Sequence, residues 1–149
     1  MDSGVEDYLI AFLKVAKEEK AEVNATKIQK IFFLLEREKG VNLNLDFKPW
    51  LFGPYSKKLD KVLYGLIDKG VVKVVDKGAI DDPFTGLVIG HVRAYELNGD
   101  YEVNVDKDIL DFFRQWVVKD RKEIVGYIYS KYEEFTDLEK IRENVLGHK

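Results

Sequence analysis

The chain has 149 residues, of which 46% are apolar, 13% aromatic and 34% charged, and its net charge is −3. That size and composition define a single globular domain, 1–149, able to bury about two thirds of the surface its unfolded form exposes. With no cysteine, disulfides, thiol catalysis, zinc thiolates and iron–sulfur clusters are excluded.

No apolar run approaches the length of a membrane span, and the acidic start MDSGVEDYLI lacks a signal-peptide charge pattern. The expectation is a cytoplasmic protein with no membrane association. Charge is unevenly spread: residues 1–19 carry −3, residues 20–80 carry +5 and residues 81–149 carry −5. A basic segment between two acidic ones fits an anionic partner, and equally fits charge matching inside one fold.

The first element is a helix. Val5, Tyr8, Leu9, Phe12, Leu13 and Ala16 keep the spacing of one buried face, with Ser3 and Glu6 as a capping box and Lys17–Lys20 ending it. A second helix runs over about 25–39, capped by Asn24 or Thr26 and stopped by Gly40. Ile28, Ile31, Phe32 and Leu35 form its inner stripe. Phe33 and Leu34 widen that stripe, so the helix is expected to be covered on more than one side.

Residues 41–56 read as an ordered loop. Val41, Leu43, Leu45 and Phe47 alternate as a short strand would, but Pro49 and Pro54 forbid a long regular element. Phe47, Trp50, Phe52 and Tyr55 are its expected anchors. The third helix follows, capped by Ser56 and stopped by Gly70. Leu59, Val62, Leu63 and Leu66 face the core, packed against the stripe of the second helix, and Ile67 extends that face. Lys57, Lys61, Tyr64 and Asp68 lie on the opposite stripe.

Strands are expected over 71–76 and 87–97, joined by the turn-rich KGAIDDPFTG, with Gly90 as a bulge. The C-terminal third, about 106–147, is helical. One stripe is Ile109, Phe112, Phe113, Trp116 and Val117, and the next is Ile124, Val125 and Ile128. Thr136 and Glu139 form a second capping box before Leu138, Ile141 and Val145, with Gly147 as the stop. The fold class is therefore α+β and mostly helical. Helix, helix, helix, β-hairpin is the order of a winged helix-turn-helix, here over about 20–97, with the C-terminal helices packed beside it. The link between the second and third helices is long for a tight helix-turn-helix.

Residues 26–72 carry a more specific pattern. Lys27-Ile28-Gln29-Lys30 leads an aromatic-rich helix, and Phe52-Gly53-Pro54-Tyr55-Ser56 opens the next one. This pattern resembles the YwgA-like proteins and is distantly similar to the Panacea (SocA-like) antitoxin domain. Tyr55 and Ser56 stand where the Panacea pattern usually has Val, which places the chain nearer the YwgA side. The resemblance implies a compact helical domain with a winged-helix-like part. Its Panacea side implies toxin neutralisation through protein contact.

Chemistry is poorly supported by the residue patterns. Only His91 and His148 are present, and neither has metal-ligand spacing. Asp81 and Asp82 precede Pro83 in a turn, where aspartate satisfies backbone groups. No nucleophile elbow, dinucleotide fingerprint or phosphate-cradling loop occurs. The expectation is a non-enzyme with no cofactor and no metal.

A nucleic-acid surface has more support. Lys57 and Lys58 sit at a helix N-terminus, where backbone N–H groups and the dipole suit phosphate. Lys61 and Tyr64 continue that stripe, Lys27 and Lys30 lie on the preceding helix, and Lys77 flanks the wing. Against DNA, the helix has no Arg, Asn or Gln to read base edges, and Asp81 and Asp82 would repel phosphate at the wing. The leading expectation is a DNA-binding transcriptional regulator. The alternative is an antitoxin-like protein-interaction module without DNA binding, and a homodimer is open to either.

Overall fold

The computed structural model describes residues 2–50 and 53–146, with the side chains of Asp2, Ser3 and Asn144 excepted. The Phe52 anchor, the Ser3 half of the first capping box, the Gly147 stop and His148 therefore lie outside the described residues. Six helices and two small antiparallel hairpins make a mostly helical α+β fold among them. They are α1 (Asp2–Glu18), α2 (Ala25–Lys39), β1 (Lys48–Trp50), β2 (Gly53–Tyr55), α3 (Lys57–Asp68), β3 (Val72–Asp81), β4 (Val88–Leu97), α4 (Lys107–Val117), α5 (Arg121–Lys131) and α6 (Leu138–Leu146). A 3₁₀ turn, Glu133–Thr136, precedes α6. No helix among the described residues is long and apolar enough to cross a membrane.

α2 is the central element. Nine consecutive residues, Lys27 to Leu35, are buried, because α4, α5 and the β1–β2 hairpin all pack on it. Asn24 is its cap, its side chain accepting from the Lys27 N–H at 2.8 Å. α4 enters the core and does not merely lie beside it. Phe113 of α4 meets Phe12 of α1 at 5.2 Å and Phe32 of α2 at 5.7 Å between ring centroids. Three rings from three helices thus share one centre, in edge and stacked arrangements that aromatic quadrupoles favour.

α3 packs on α1 and β3. Leu59, Val62, Leu63 and Leu66 are buried in the same core as Ile28, Ile31, Phe32 and Leu35. Ser56 caps α3 as expected, accepting from the Leu59 N–H at 3.1 Å.

Three local readings change. Residues 41–47 alternate between half-buried or buried and exposed, as a strand would, but form no ladder. Asn44 (φ 58°) and Asp46 (φ 54°) turn left-handed between the inward residues, which breaks extended pairing. The Glu36 carboxylate takes over, accepting from the Leu43 N–H at 2.9 Å. The two prolines of the loop instead oppose each other in a three-residue hairpin, Pro49 facing Pro54. At the last helix the cap is Asp137, which accepts from the N–H of Glu139 at 3.0 Å. Thr136 lies in the 3₁₀ turn, where its hydroxyl donates to the Glu133 carbonyl. Leu138 is exposed at 79%, so only Ile141 of that stripe is buried.

The β3–β4 hairpin is longer than expected. Its strands run to Asp81 and from Val88, leaving a turn at 82–87. The register shifts at Lys77 and again at Ile89, next to Gly90. Its stem, Val72 and Leu97, is buried. Beyond Asp76 and Arg93 it projects as an arm, every residue exposed except the half-buried Asp82 and Gly90.

Candidate nucleic-acid interface

The seven residues expected to meet nucleic acid separate into three groups. Lys57, Lys58, Lys61 and Tyr64 are exposed along the outward stripe of α3. The α3 periodicity that buries Leu59, Val62, Leu63 and Leu66 leaves these four side chains on the far side. Lys58 reaches back to the Asn44 carbonyl at 3.2 Å.

Lys27 and Lys30 are corrections. Both are buried. The Lys27 ammonium donates to the Val117 carbonyl at 2.7 Å and the Glu22 carbonyl at 3.1 Å. Lys30, 5% exposed, donates to the Pro54 carbonyl at 2.7 Å. Burial pushes its pKa down to about 8, against the opposing pull of Asp60. Neither side chain can reach a phosphate. Sequence spacing put them one turn apart on an apparently cationic face; the packing of α4 and β2 on α2 turned that face inward.

Lys77 stays on the surface at the first register shift of the arm, 3.7 Å from Glu96, which also lies 3.9 Å from Lys73. Two lysines therefore share one carboxylate. Lys77 also borders a cavity of about 270 Å³ between α1 and β4, floored by Leu13, Ala16, Val23 and Leu97.

The residues of the Lys-Ile-Gln-Lys and Gly-Pro-Tyr-Ser motif have a structural explanation. Gln29 clamps the backbone of Ser56 on both sides: its oxygen accepts from the Ser56 N–H at 2.8 Å, and its amide donates to the Ser56 carbonyl at 2.9 Å. The Ser56 hydroxyl donates to the Leu45 carbonyl at 2.6 Å. The Gln29 amide and the Tyr55 hydroxyl both donate to Asp60, at 3.0 and 2.6 Å. Gly53, at φ 103°, occupies a conformation that L side chains resist, and a Cβ there would stand 3.4 Å from Lys30 Cε. Among the described residues no buried side-chain polar atom lacks a partner. The motif fastens the start of α3 to α2.

This network also changes the electrostatics of the α3 N-terminus. Asp60, in the first turn, already places a carboxylate at the positive end of the helix dipole. Any phosphate there would rely on the lysine side chains more than on backbone N–H groups.

Two residues of β4 join the α3 stripe and were missed. Tyr95 is half-buried beside Tyr64 and Asp60. Burial first, then these neighbours, raise its pKa, while Arg93 opposes them. Arg93 is exposed on the same strand, two residues on. The available signal was strand alternation: Leu97 is the buried stem residue, so 95 and 93 share its face. His91, next in that series, places Nδ1 2.9 Å from Asp76 Oδ2.

A second missed feature is apolar. Phe84 is 94% exposed, Leu87 and Ile89 are each 67% exposed, and Val88 is 59% exposed. The run Leu-Val-Ile suggested a buried strand, but a two-stranded ribbon that extends beyond the core leaves such residues without cover.

Elsewhere the polar clusters hold helices together. Glu38 accepts from Tyr127, Lys131 and Tyr132 at 2.7, 2.8 and 2.9 Å. Burial works to raise its pKa, but these hydrogen bonds outweigh it and hold the carboxyl below its ordinary value. No group of three metal-ligating side chains that could hold an ion occurs among the described residues. No family model matches the chain, and no curated protein matches it.

Proposed function

We propose that this protein is a non-enzymatic regulatory module that binds duplex DNA, with α3 as the groove element and the adjoining face of β4 beside it. The observation that carries this reading is the exposed stripe of Lys57, Lys58, Lys61 and Tyr64 on a helix whose opposite face is buried, with Arg93 near its end. The lysines act as point charges on phosphates and set no base preference. Arg93 supplies the planar donor that α3 lacks for a guanine edge. The order of three helices followed by a hairpin, and the resemblance of residues 26–72, agree with such a module. A second reading, an antitoxin-like protein-interaction module, is favoured by the apolar tip of the arm.

A salt titration on mixed-sequence duplex DNA tests the first reading. The wild type is expected to bind more weakly as salt rises, because each phosphate contact releases counterions. In the Lys57→Glu, Lys61→Glu double variant, binding weakens at all sequences alike, and the log–log slope flattens by about 0.9 per lost contact. Wild-type protein that shows no salt-dependent binding at low ionic strength removes the DNA reading and leaves protein contact in its place. A double variant that binds like the wild type removes α3 as the groove element.

A further inference from the structure

We propose that the β3–β4 arm pairs with the arm of a second copy of this chain, the two ribbons packing antiparallel about a two-fold axis. The proposal does not rest on DNA binding. It starts from stability: an isolated two-stranded ribbon is marginal in water, and this one projects beyond its buried stem with both faces exposed. The six side chains Ile80, Phe84, Leu87, Val88, Ile89 and Val92 are between 40% and 94% exposed. Together they leave about 600 Å² of surface, at the upper limit of the largest apolar patch on an ordinary monomer.

The area and the charge point to the chain itself as the occupant. Two such patches bury about 1,200 Å² on contact, the lower bound of a specific interface. A two-fold interface must be self-complementary, since each patch meets its own image. The arm has that property along its length of about 30 Å. Asp81 and Asp82 make its tip acidic. Its stem carries Lys73, Lys77 and Arg93 against Glu96 and Asp76, a net positive charge with His91 neutral. Antiparallel packing sets each acidic tip against the partner's basic stem, whereas parallel packing would set like against like. Asp82 is already engaged within its own turn by the Phe84 N–H and the Thr85 hydroxyl. Asp81 therefore carries the contact at the tip.

Sedimentation equilibrium of the full chain without DNA, over about 1–500 µM, tests this. An interface of the lower size class predicts a monomer–dimer equilibrium with Kd in about the micromolar range. Phe84→Ser with Ile89→Ser should raise Kd at least about tenfold. The helical circular-dichroism melt should stay unchanged, because both side chains lie outside the core. Asp81→Lys and Arg93→Glu should each weaken the dimer, and the two together should restore it, since every tip–stem pair is then reversed. A wild type monomeric throughout the range overturns the proposal and leaves the arm to a different protein. A dimer indifferent to Phe84 and Ile89 overturns it as well. A combined charge variant no stronger than either single one overturns the antiparallel arrangement.

Discussion

Lys30 shows how a lysine can serve a buried role. Its aliphatic stem lies along Gly53, and its ammonium ends on the Pro54 carbonyl. The charged form still costs free energy in the folded state, since burial lowers its pKa from 10.5 to about 8. Below about pH 8 the group is protonated in both folded and unfolded chains, and the cost is fully present. Between about 8 and 10.5 the unfolded chain holds the proton and the folded one does not, so stability rises with pH. The expected gain over the whole window is on the order of 3 kcal/mol. Lys27 is lowered in the same direction, chiefly by burial, and adds to the rise. Denaturant unfolding from about pH 7 to pH 10 should show stability climbing in the wild type and climbing less in Lys30→Met. Equal slopes in the two proteins would contradict a buried, charged Lys30. Nothing in the sequence separated Lys27 and Lys30 from Lys57 and Lys61, because all four lie in a basic segment at helical spacing. Only the packing of other elements tells an inward lysine from an outward one.

Helix ends were more legible than helix surfaces. Asn24 and Ser56 cap as their residue types suggest, because a cap is a local bond between a side chain and an N–H three residues on. The last helix was misplaced by one residue for the same local reason: Thr136 and Asp137 are both capping residues, and the 3₁₀ turn takes the first. Asp137→Ala should therefore destabilise the protein by about 0.5–2 kcal/mol, while Thr136→Ala costs less. Chemical denaturation of the two variants checks this, and the reverse order would return the cap to Thr136. The alternation over 41–47 shows the limit of pattern reading. It identified the inward residues Leu45 and Phe47, but burial period alone does not require a hydrogen-bonded partner. The β3–β4 hairpin exceeded its expected length because turn residues such as Gly78 fit a register shift within a strand as well as a turn between strands.

At the scale of the molecule, one core unites both parts of the chain. α4 completes the aromatic centre with α1 and α2, and Leu63 of α3 is buried in the same cluster. Leu63→Ala should cost about 2–5 kcal/mol, the range for a large core residue whose site collapses only partly. If the C-terminal helices are integral, the variant lowers a single unfolding transition common to near- and far-ultraviolet signals. Two separated transitions would instead mark the C-terminal helices as an independent unit.

By itself the sequence determined the helix faces, the caps of α2 and α3 and the mostly helical α+β class, because these follow from periodicity and bonds within a few residues. It also located the Gly-Pro turn that opens α3, since proline and a left-handed glycine constrain the backbone wherever they stand. Tertiary structure alone decided which lysines face water, because α4 and β2 lie 24 to 90 residues from the lysines they cover. It alone decided that Leu87, Val88 and Ile89 extend beyond the core, since whether an apolar strand is buried depends on whether anything stands opposite it.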